Sequence, residues 1–129
     1  KQIELKEYLY KPELTTSDLF TIGKRIAGGS LIVADSAEPR LIAELRQRGL
    51  NIVPAIKGPG SVNAGIAMLQ DYELIVDEGS ENLQRELNNY AWLEKKVSPV
   101  DKFNHLIDAV RYAVYYQLER PNRGNYHVR

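Results

Sequence analysis

Leu31-Ile32-Val33-Ala34-Asp35 sets the fold class: four apolar residues in a row, closed by a carboxylate. An apolar run without alternation fits a strand covered on both faces, as in parallel sheets whose crossovers carry helices. Short buried strands are also expected further along, at Asn51 to Ile56 and at Glu73 to Val76. Between them, Glu38-Pro39 opens a helix that carries Leu41, Ile42 and Leu45 and closes at Gly49; a second helix runs from about Ser61 to Leu69. Upstream, Lys1 to Tyr10 sets Ile3, Leu5 and Leu9 against Gln2, Glu4 and Lys6, a period of two that reads as a strand, one arm of an antiparallel pair. Thr16 or Ser17 then caps a helix with Leu19, Phe20, Ile22 and Ile26 on one face, stopped by Gly28-Gly29. Downstream, helices from about Ser80 to Tyr90 and about Asn104 to Leu118 flank an irregular segment around Trp92 and Ser98-Pro99. This order places the chain in the α/β class, one domain over residues 1–120 followed by a loose tail, 121–129.

Composition narrows the chemistry. Of 129 residues, 43% are hydrophobic and 26% charged, which fits one ordered domain with one core. Lys plus Arg and Asp plus Glu both number 17, so net charge leaves no footprint of nucleic acid and no argument against a local basic patch. Cysteine is absent, so disulfides and thiolate-bound zinc or iron are excluded. Carboxylates and two histidines remain as strong metal ligands, a set that suits a hard cation. The apolar runs fall far short of the ~20 residues a bilayer span needs, and no secretory signal is visible, so no membrane role is expected.

Several residues could carry chemistry. Asp35 stands at the carboxyl end of the most apolar strand, the edge where open α/β sheets place ligands; the plainer role is a turn that caps the next helix. Lys57, beside Gly58-Pro59-Gly60 and just past the next strand, would hang over the same edge and could meet a phosphate, or be merely solvated. On the last helix, Leu106, Val110, Ala113, Val114 and Gln117 fall on one side, and His105, Asp108, Tyr112 and Tyr115 on the other. His105 and Asp108 are one turn apart, placed to share an ion or to make a solvated hydrogen bond. Gly60 and Gly65 have phosphate-loop spacing, but Ile66-Ala67 replaces the required Lys and Ser/Thr, so nucleotide binding is discarded. Glu86 and Tyr90 could support the site or pair at the surface, and Trp92 could stack on a base or fill the core. Lys57, Arg111, Lys95 and Lys96 are the candidates for a local basic patch, through which binding of a polyanion would be weak and strongly salt-dependent.

Ala34-Asp35-Ser36-Ala37-Glu38-Pro39, Pro54-Ala55-Ile56-Lys57-Gly58, Glu86-Leu87 with Tyr90 and Trp92, and the helix Asn104-His105-Leu106-Ile107-Asp108-Ala109-Val110-Arg111-Tyr112-Ala113 follow one another in a recognisable order. The combination resembles the C-terminal nuclease domain of the PBSX-like phage terminase large subunits, over about residues 1–118. The resemblance implies a ribonuclease H-like mixed sheet flanked by helices, in which three carboxylates hold two divalent ions, Mg²⁺ or Mn²⁺, over a phosphodiester. It implies a metal-dependent endonuclease that cuts concatemeric viral DNA during genome packaging in the host cytoplasm. Its partners would be double-stranded DNA, the portal protein and the small terminase subunit. Asp35 matches the second catalytic carboxylate and Asp108 the third, with His105 one turn before it; these three would be the metal ligands, with Lys57 on the catalytic rim.

One departure from the family pattern matters. The first catalytic Asp belongs on an opening strand, in a segment like G-x-D-x-G, which this sequence lacks; Lys1 to Tyr10 matches a later strand of the opening meander. The expectation is a domain without its first strand, weak or inactive in cleavage. It should self-associate, or turn its opening strand against Leu31 to Ala34. Two other readings stay open at this point: a junction resolvase of the same fold, and a non-catalytic α/β binding or oligomerisation module.

Overall fold

The computed structural model of the chain describes residues 1–90 and 105–119. Among them, four short strands and five helices alternate: β1 (Gln2–Leu5), α1 (Thr16–Ala27), β2 (Ile32–Ala34), α2 (Pro39–Gln47), β3 (Ile52–Pro54), α3 (Ser61–Gln70), β4 (Glu73–Val76), α4 (Glu81–Asn89) and α5 (His105–Glu119). The strands pair as two parallel ribbons, β1 with β4 and β2 with β3. The α/β class and the element order follow the sequence reading. Trp92, Lys95, Lys96, Ser98-Pro99 and the tail 121–129 lie outside the described residues.

Three expectations about the strands need correction. Among the described residues β1 has no antiparallel partner, and it does not turn against β2: it runs parallel to β4 with Ile3 opposite Leu74 and Leu5 opposite Val76. Alternation along a strand identifies its apolar face, which here meets the like face of β4, but it carries no information about the direction of the partner. β2 is only half-buried along its length, and β4 alternates, with Ile75 exposed, so neither is covered on both faces. An apolar run fits full coverage but does not require it. Of the apolar runs, β3 comes nearest, with Ile52 buried and Ala55 buried just past its end.

Local signals explain the helix boundaries. The α1 cap is Thr15, one residue before the expected Thr16: its hydroxyl accepts from Asp18 N at 3.1 Å, and the Asp18 carboxylate accepts from Thr15 N at 3.2 Å. That reciprocal box requires an acidic or amide side chain three residues on. Thr16 and Ser17 are followed at that offset by Leu19 and Phe20, so only Thr15 can form it. Pro39 opens α2 as expected, where its missing N–H costs nothing.

Two apolar clusters hold these elements. Ile42, Leu45, Leu50 and Ile52 join α2 to β3 and receive Leu19 and Phe20 of α1. Ile66, Leu69, Tyr90 and Ile107 join α3, the end of α4 and α5, with Leu74, Val110 and Val114 against them. α5 packs on α3, on α4 and on β2, so it ties the second cluster to the β2–β3 ribbon. Its inner face differs from both faces expected from the sequence. Ile107 and Arg111 are the buried positions, whereas Leu106, Val110, Ala113, Val114 and Gln117 line an open groove of about 640 Å³ beside β1. A 100° periodicity fixes which residues share a side, and packing decides which side turns inward.

Candidate active site

Asp35 follows β2 directly, and Lys57 follows β3 by three residues. Because β2 and β3 are parallel neighbours with Ala34 opposite Pro54, both side chains leave the same carboxyl edge. There the Lys57 ammonium donates to Asp35 Oδ1 at 2.6 Å. The same oxygen accepts from Ala37 N at 3.0 Å, a turn in which the aspartate closes on its own backbone. Asp35 is thus a turn residue at the carboxyl edge, but it does not cap α2, whose N-cap is Glu38 without a side-chain cap. The hydrogen bond from Lys57, helped by that from Ala37 and opposed by partial burial, holds the Asp35 carboxyl below its ordinary pKa, while the bond to Asp35 raises that of Lys57. The pair is about half exposed, which leaves it within reach of solvent and ligand.

α5, which packs on β2, carries a second carboxylate that is linked to this edge through Arg111 and Tyr112. Asp108 sits in the first turn of the helix, and Arg111 Nη2 donates to its Oδ1 at 3.2 Å. Arg111 lies with its guanidinium carbon 4.8 Å from the centre of the Tyr112 ring, and Lys57 Nζ is 5.5 Å from the same centre. The Arg111 charge also acts on Asp35. Two cation–carboxylate pairs, Lys57–Asp35 and Arg111–Asp108, thus meet around one tyrosine. In each pair Oδ1 is engaged, while Oδ2 accepts no hydrogen bond among the described residues.

His105 is placed differently. It opens α5, is exposed, and stands beside Tyr10 with ring centres 6.4 Å apart, outside the network of Asp35, Lys57, Arg111 and Tyr112. Among the described residues no group of three His, Asp or Glu side chains is assembled for a metal. What the site does offer among the described residues is two carboxylates, each with an Oδ2 that accepts no hydrogen bond there. In donor chemistry, carboxylate oxygens of this kind suit a hard divalent cation, which is commonly held by one or two carboxylates and completes its shell with water and substrate phosphate.

Three residues of the site were misread or undervalued in the sequence. Arg111, expected in an exposed basic patch, is 7% exposed and turned inward, so it cannot serve as a surface phosphate contact. Glu86 is buried, and its Oε1 accepts from Leu106 N at 2.8 Å and Ile107 N at 2.9 Å, capping α5 from a neighbouring helix. Gly65 sits where α3 crosses α5: a Cβ there would lie 2.4 Å from Arg111 Cγ. A glycine inside an apolar helical pattern is a signal of close approach, and a glutamate four before a tyrosine can turn inward as readily as outward.

With this geometry in view, residues 1–115 match the terminase RNase H-like domain family. The chain belongs to that family. It is 42% identical over 91 residues to the terminase large subunit of Bacillus phage SPP1, an alignment that covers 64% of this chain and 22% of that protein. The fold is similar to a solved structure of the large terminase nuclease domain from bacteriophage SPP1 with bound Mn, at a TM-score of 0.73 and 28% identity, over 90% of this chain and 71% of that one. It also resembles the large terminase of a thermophilic bacteriophage, at a TM-score of 0.57 and 20% identity, over 80% of this chain and 29% of that one. The chain therefore spans about a fifth of the length of the SPP1 large subunit. The ribonuclease H-like fold and the terminase resemblance read from the residues hold. No helix among the described residues is long and apolar enough to cross a membrane.

Proposed function

We propose that this chain is the DNA-cutting part of a phage terminase large subunit, which hydrolyses phosphodiester bonds of double-stranded DNA during genome packaging. One observation supports the reading within the family: the Lys57–Asp35 and Arg111–Asp108 pairs, from different elements, meet at the ring of Tyr112, each carboxylate held through Oδ1 and each with Oδ2 accepting no hydrogen bond among the described residues. In this reading Asp35 and Asp108 are the metal ligands. Bound there, Mg²⁺ or Mn²⁺ would supply Lewis-acid polarisation of the phosphate and a more acidic water.

The protein's own groups do the rest. The exposed Lys57 ammonium, already at the edge, can turn from Asp35 to a phosphate oxygen and stabilise charge that develops on it. Tyr112 keeps Lys57 and Arg111 at the edge by lending its ring to both. His105, one turn ahead of Asp108, remains a rim group in this proposal, placed to meet substrate rather than the ion held by the carboxylates. Two-metal hydrolysis is proposed for the intact domain. It needs a third carboxylate, and no group of three is assembled among the described residues; this chain is proposed to hold one ion weakly and to cut poorly. The portal protein and the small terminase subunit are the partners proposed on family grounds, in the host cytoplasm.

Manganese-dependent nicking of supercoiled plasmid by the intact domain is the test. Asp35→Asn and Asp108→Asn should each abolish it with circular dichroism unchanged. Cleavage at the parental rate by Asp108→Asn would remove α5 from the active site.

A further inference from the structure

Arg111 is an unusual guanidinium. Its side chain is 8% exposed, it makes one hydrogen bond among the described residues, to Asp108 Oδ1 at 3.2 Å, and its buried Nε has no partner there. A buried donor left unpaired destabilises the fold, so stability alone does not account for an arginine here. Its stem is fixed by shape: it runs over Gly65 of α3, where a Cβ would lie 2.4 Å from Cγ and 2.9 Å from Cδ. These are near atoms of a buried stem, not the loose end of a surface chain. The head is fixed as well, against the ring of Tyr112.

We propose that Arg111 is a positioning residue for Asp108, locked by the crossing of α5 over Gly65, and that it fixes the carboxylate so that Oδ2 faces the cation site. This rests on the reading of Asp108 as a metal ligand. Arg111 itself touches neither ion nor substrate; its effect passes through the orientation of one carboxylate. Groups that orient a metal ligand commonly change metal affinity by about 10- to 100-fold when altered.

Charge and position make opposite forecasts, which allows a test. A cation beside two carboxylates repels Mn²⁺, so if charge were its whole effect, keeping the charge while moving the side chain would change nothing. Mn²⁺ binding to this chain is measured by electron paramagnetic resonance titration. Gly65→Ala, which leaves every charge in place and displaces the stem, should weaken binding about tenfold. Arg111→Lys, which keeps the charge and loses the planar fork, should do the same without crowding α3. Leu19→Ala, which loosens the other apolar cluster, gives a loss of melting temperature without a change in Mn²⁺ affinity. In an Arg111→Ala background, Gly65→Ala should have no further effect on affinity, since the stem it displaces is gone. Parental Mn²⁺ affinity in both Gly65→Ala and Arg111→Lys, alongside loss of binding in Asp108→Asn, would overturn the role of Arg111 and leave the site standing. Parental affinity in Asp108→Asn would overturn both.

Discussion

Tyr90 lies buried under α5, and burial first, then the charge of Asp108, raises its pKa above the ordinary tyrosine value. The folded chain therefore holds that proton longer than the unfolded chain does. Stability from this group is present in full below pH 10 and is lost as pH rises from there through the folded pKa. Urea midpoints should fall as pH rises above about 10, and the fall should be shallower in Tyr90→Phe. An identical fall in both proteins would refute the assignment. At this scale the sequence was informative where chemistry follows from chain position. Asp35 and Lys57 each end an apolar run, and adjacent parallel strands bring such ends together. Arg111 was illegible because its residue type predicts solvent, and nothing local announces that a glycine 46 positions earlier makes room for its stem.

α5 is positioned by elements distant in sequence, and Glu86 is the clearest example. One buried carboxylate oxygen receives two of the backbone N–H groups that a helix N-terminus leaves without intrahelical partners. Glu86→Ala should cost about 2 kcal/mol or more in chemical denaturation, because those donors lose their acceptor. Glu86→Gln retains an acceptor oxygen and should keep most of that stability. A loss below about 0.5 kcal/mol in Glu86→Ala would show that α5 needs no cap from α4. The elements themselves were legible from periodicity, caps and punctuation: Pro39 at a first turn, Gly28 after α1, alternation in β1. Their partners were not. The alternation of Ile3 and Leu5 gives a face, and pairing with β4 rather than with an antiparallel neighbour is a tertiary choice made across most of the chain.

At the scale of the whole fold, the outer strand edges stand unpaired among the described residues. β1 pairs with β4 alone among the described strands, it borders the groove lined by Leu106, Val110 and Val114, and Tyr8, Leu9 and Tyr10 continue from it exposed. An apolar strand edge with exposed neighbours invites another strand. We expect the chain to self-associate through this edge, with light scattering showing a mass that rises with concentration. Leu5→Lys should suppress that rise. A monodisperse monomer at the highest attainable concentration would contradict the expectation.

If Asp35 and Asp108 hold one divalent cation between them, a crystal of the chain grown with Mn²⁺ will reveal it by anomalous scattering. The expected result is a single strong peak about 2.1 Å from a carboxylate oxygen of each residue, and no peak in Asp108→Asn. A peak at other side chains, with none at Asp35 and Asp108, would show that the two carboxylates are not a metal site.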